Sequence, residues 1–91
     1  MRELYIGRKE AEGEEGNKYR FDYYILIDPV TVEGDFFCES YGIKILSPDT
    51  REAAEIPNIT VSISRIDDLA ERMLRNGVSP VTARDVVEDW L

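Results

Sequence analysis

Ninety-one residues, 43% of them apolar and 33% charged, supply one domain (1–91) with one modest core, which argues against a second domain and against a disordered chain. No apolar run approaches the roughly 18 residues of a membrane span. The formal charge of −8 repels nucleic-acid phosphates and suits either a basic partner or plain solubility, so direct nucleic-acid binding is not expected.

Alternating side chains set the first half of the chain. ELYIGRK, 3 to 9, is a weak strand with Leu4 and Ile6 in alternation, and the acidic segment 10 to 17 closing on EEGN reads as a mobile hairpin tip. KYRFDYYILID, 18 to 28, places Tyr19, Phe21, Tyr23, Ile25 and Ile27 on one face, a period of two built from aromatic and β-branched residues. After a turn predicted to close on Gly34, DFFCESYGIKILS, 35 to 47, repeats the pattern with Phe37, Tyr41, Ile43 and Ile45, interrupted by Glu39. SPDT, 47 to 50, carries proline at the second turn position. NITVSIS, 58 to 64, is then expected to form the last strand, with Ile59, Val61 and Ile63 on one side and Pro57 at its edge.

The period next changes to that of a helix. In SRIDDLAERMLRNG, Ile66, Leu69, Ala70, Met73 and Leu74 form one stripe, with Ser64 as predicted N-cap and Asn76-Gly77 as the stop. A second helix is expected from Ser79 as N-cap and Pro80 as first helical residue, its stripe being Ala83, Val86, Val87, Trp90 and Leu91. Short connections make the strands antiparallel, and two amphipathic helices must cover the apolar sheet face. The expected fold is a two-layer α+β domain, an antiparallel three- to four-stranded meander followed by two C-terminal helices packed on one face (ββββαα).

Little in the chain resembles catalytic machinery. The absence of histidine removes the His-based nucleophile systems, His-ligated metals and the usual proton shuttle. The glycines form no phosphate loop, and Cys38 lies among Phe36, Phe37 and Glu39 without a cation to lower its pKa. One cysteine also precludes an internal disulfide and fits a reducing compartment. MRELYIGRKE lacks the apolar core of a signal peptide, so the expected location is the cytoplasm, with no membrane contact. Neither cofactor nor metal is expected, since Asp85 and Asp89 at i and i+4 offer too few oxygens for calcium.

Two surfaces are candidates for binding. With a helix over 80–91, Asp85, Glu88 and Asp89 fall within an arc of roughly 100 degrees opposite the apolar stripe. They crowd the negative end of the dipole, where bases are favoured, with only Arg84 to answer them. In the preceding helix, by contrast, Asp68 and Glu71 each meet an arginine four residues on, Arg72 and Arg75. The second surface is the sheet face turned from the helices, where Tyr24, Leu26, Phe36, Cys38 and Leu46 project, an apolar patch that would serve a protein partner or a homodimer.

SYGIKI at 40–45, IPNIT at 56–60 and LRNGVSPVTARDVVEDWL at 74–91 together resemble a family of short bacterial proteins, mostly clostridial, classed as a domain of unknown function. Its members typically show a YGI strand, an NIS-like segment and a closing acid-rich helix opened by VSP. Many carry a His-Leu pair after the VSP segment, where Thr82-Ala83 stands here. The resemblance implies a bacterial, cytosolic, single-domain protein, and because the family has no established activity it carries over no functional residues.

The expected function is therefore that of a small acidic, non-enzymatic protein-binding or regulatory module with a basic protein partner. One alternative is a nucleic-acid-mimicking inhibitor of the anti-CRISPR kind, which would need a long acidic ridge. The other is a carboxylate-based enzyme, which would need a deep pocket with raised carboxyl pKa values.

Overall fold

The computed structural model describes residues 2–13, 16, 18–32 and 36–91, with only the backbone described at 11, 31, 32, 36 and 37. Four strands, β1 (Arg2–Glu12), β2 (Lys18–Val32), β3 (Phe36–Ser47) and β4 (Glu52–Thr60), precede two helices, α1 (Ile63–Asn76) and α2 (Ala83–Trp90). The strands form one antiparallel sheet in the order β1-β2-β3-β4, so the meander and the α+β ββββαα arrangement are as the sequence indicates. The turn at Gly34 and the acidic positions 14 and 15 lie outside the described residues.

The alternation of β2 and β3 decides which face is covered. Phe21, Tyr23 and Ile25, with Tyr41, Ile43 and Ile45, point into the core, and α1 lies across all four strands to bring Ile66, Leu69, Ala70 and Met73 onto them. The structure is elongated, 56 × 23 × 17 Å, because β2 alone runs 15 residues. At roughly 3.3 Å per residue that strand reaches about 50 Å.

Both edge strands are irregular. β1 carries a bulge between Tyr5 and Gly7. On β4, two residue steps from Tyr41 to Ile43 answer four steps from Thr60 to Ile56, and Asn58 takes a left-handed backbone (φ 57°), a conformation asparagine tolerates. This bulge folds over Gly42, where a Cβ would stand 2.3 Å from the Ile56 carbonyl oxygen. Leu26, paired with Gly42, is 1% exposed although it points away from the helices.

Three boundaries differ from expectation. β4 lies at 52–60, not 58–64: Ala54 and Ile56 turn inward, whereas Val61 and Ile63 are 65% and 63% exposed. EAAEI reads as helix-forming, and pairing with β3 overrides that local preference. α1 accordingly starts earlier, capped by Ser62, whose Oγ accepts the Arg65 N–H, rather than by Ser64. It ends as anticipated at Gly77 (φ 62°), in a Schellman turn where Gly77 N–H donates to Leu74 O and Val78 N–H to Met73 O. Finally, Ser79–Thr82 forms a separate turn, with Thr82 N–H donating to Ser79 O, and α2 begins only at Ala83. Proline's fixed φ suits the second turn position as well as a helix start, so the sequence signal serves either.

Candidate functional site

The later start of α2 changes the electrostatics of its acids. Asp85 lies in the first turn, where the dipole favours a carboxylate, so it does not belong to the acid crowding the C-terminal end. Glu88 and Asp89 do, since no base occupies the last turn. All three are exposed, and none makes an ion pair among the described residues. On α1, Asp68–Arg72 (3.1 Å) and Glu71–Arg75 (3.9 Å) form as the spacing predicts, while Arg84 and Glu88, in the less favourable order, do not pair.

The outer sheet face is built differently from an apolar patch. Tyr24 is half-buried, with the Tyr5 ring edge-on at 5.3 Å and Lys44 Nζ 5.6 Å above it. Leu26 is closed off beside Gly42, and Phe36 sits opposite Val32 with its side chain outside the described residues. Ion pairs lace the same face: Arg8 donates to both oxygens of Asp22 (2.8 and 3.0 Å), Arg20 pairs with Asp49 of the β3–β4 turn (2.6 Å), and Lys44 bridges Glu3 of β1 (2.8 Å) and Glu55 of β4 (3.5 Å). Of the six predicted contact residues, the structure brings Asp85, Glu88 and Asp89 together on one short helix and places Tyr24 and Leu26 on the opposite side of the molecule.

Asp22 is the buried centre of that network, 5% exposed and also accepting the Tyr5 hydroxyl at 3.2 Å. The Arg8 guanidinium holds its carboxyl below the usual range, against the opposing effect of burial. Its contribution to stability is therefore present above the unfolded carboxyl pKa of about 3.9 and is lost as pH falls through the lower folded value. Asp22→Asn is expected to cost about 1–2 kcal/mol at pH 7, discounted because Arg8 is half exposed. Urea titrations of both proteins at pH 7 and at pH 2 check this, since the gap should close in acid.

Where the helices meet, a cleft of about 260 Å³ is lined by Leu69, Arg72 and Asn76 from α1 and by Val86, Asp89 and Trp90 from α2. Arg65 stacks 4.5 Å from the Trp90 ring centre, tying the start of α1 to the end of α2. Sequence spacing assigns Leu69, Val86 and Trp90 to apolar stripes and Arg72 to an ion pair, and neither signal marks an opening. Only the helix crossing, which no local pattern encodes, leaves them bordering a shared opening.

No helix among the described residues is long and apolar enough to cross a membrane. No curated protein and no solved structure matches the chain. The profile of a family of unknown function, DUF6514, matches residues 2–91, and the chain belongs to that family.

Proposed function

We propose that the chain is a small, acidic, non-enzymatic module that binds a basic protein partner on its helix layer. The observation supporting this reading is the last turn of α2, where Glu88 and Asp89 stand exposed at the negative end of the dipole with no ion pair among the described residues. Unanswered acid there costs about 0.3–1 kcal/mol per residue, a modest cost that a basic partner would reverse. The outer face gives less support, because its charges are already answered by one another. For the same reason it gives none to a nucleic-acid mimic, which would need free carboxylates along a ridge. The SYGIKI, IPNIT and VSP-helix resemblance adds a bacterial, cytoplasmic setting to the proposal.

The test is the triple reversal D85K/E88K/D89K. Partners captured from native lysate by the parent protein at low salt should be lost, with affinity falling at least tenfold, whereas reversal of Glu10 and Glu12 on β1 should leave capture intact. An unchanged set of partners after the triple reversal removes the reading.

A further inference from the structure

The cleft between the helices refines that reading and depends on it. Its volume of about 260 Å³ lies below the roughly 300 Å³ at which small-molecule sites begin, a size suited to one or two side chains rather than a cofactor. Val86 and Trp90 are half-buried and supply the open apolar wall, while Leu69, buried beneath them, forms the floor. Two cations stand nearby, and both are engaged: Arg72 with Asp68, and Arg65 over the Trp90 ring. The unanswered charge on the lining is the carboxylate of Asp89, with Glu88 next to it in the same turn.

We infer that this cleft anchors a partner segment in which an aliphatic side chain stands beside a lysine or arginine. The aliphatic group packs against Val86 and Trp90, over Leu69 at the floor, and the cation meets Asp89 at the lip. An apolar anchor with a charge at its rim is how compact interfaces concentrate their binding energy. A second copy of this chain is a poor occupant, because a charge of −8 on each would oppose the approach.

The probe is a random heptapeptide library displayed on phage and selected against the intact protein, followed by titration of the enriched peptides into ¹⁵N-labelled protein. Enriched sequences should pair a basic with an aliphatic residue, and shift changes should centre on Leu69, Arg72, Asn76, Val86, Asp89 and Trp90. Affinity should fall at least tenfold in Asp89→Lys and in Asn76→Tyr, which crowds the mouth from an exposed position and so spares the core. Val86→Phe, checked for folding by circular dichroism, fills the cleft from the other wall. Enrichment of peptides without a cation, shifts centred elsewhere, or no enrichment at all overturns the inference. If D85K/E88K/D89K abolishes binding while Asn76→Tyr and Val86→Phe leave it intact, the acidic face binds by charge alone and only the cleft assignment fails. If none of these variants matters, both readings fall.

Discussion

Gly42→Ala is expected to cost about 3 kcal/mol, at the upper end of what overpacking in a closed site does. The added Cβ would meet the Ile56 carbonyl oxygen at 2.3 Å and the Pro57 Cα at 2.6 Å, and both are backbone atoms that cannot rotate aside. Relief requires the β4 bulge to lift from the sheet, which disturbs the pairing of Ile43 with Ile56. In a chain of this size each kcal/mol shifts the melting midpoint by about 4–8 °C, so the Tm should fall by roughly 12–24 °C in a calorimetric scan. Gly7→Ala is the comparison. There the nearest atom is the Leu74 Cδ2 at 3.3 Å, the end of a flexible, half-buried side chain rather than backbone, and a much smaller shift is expected. Equal melting of the two variants would mean that the bulge does not press on Gly42.

Tyr23→Ala should be comparably damaging, about 3–5 kcal/mol, since it empties the space of a large aromatic ring. Tyr23 is 1% exposed at the centre of the core, and its hydroxyl donates to the Val78 carbonyl at 2.7 Å. That bond fixes the last residue of the Schellman turn, and therefore the direction in which the connector carries the chain to α2. Tyr23→Phe isolates the hydroxyl: the carbonyl is left without its partner, at a cost of about 1–3 kcal/mol. Burial also pushes the Tyr23 phenol up to about 12. The unfolded phenol ionises near 10, so the stabilising contribution is complete below about pH 10 and is lost as pH rises through the folded value. Denaturant midpoints measured from pH 8 to pH 12 should decline more steeply for the parent protein than for Tyr23→Phe. Parallel declines would place the alkaline sensitivity on other groups.

The strands that the sequence displayed clearly are those in which every second position carries an aromatic or β-branched residue over several steps. Phe21 to Ile27 and Tyr41 to Ile45 face the helices as their spacing requires, because a sheet covered on one side demands period two. Where tertiary pairing decided the outcome, local pattern misled. Glu52-Ala53-Ala54-Glu55 becomes a strand only because β3 supplies a partner, and Val61 and Ile63, apolar and alternating, lie exposed at the entry to α1. The acids of α2 were legible as a group, yet their position in the dipole depended on whether Pro80 opened a helix or a turn. Burial of Leu26 had no sequence signal either, since nothing local marks the glycine opposite it on β3 or the two extra residues of β4 that lie against that glycine.

The irregular borders of the sheet carry a consequence for how the molecule meets others. β1 breaks step at Ile6, β4 bulges by two extra residues around Pro57, and Pro29 withholds an amide donor from the stretch of β2 that runs on past β1. A neighbouring strand laid along either margin would fall out of register within a few residues, which closes the path to fibril-like stacking. That leaves the side chains of the helices, rather than open main chain, as the surface on which the proposed partner contact rests.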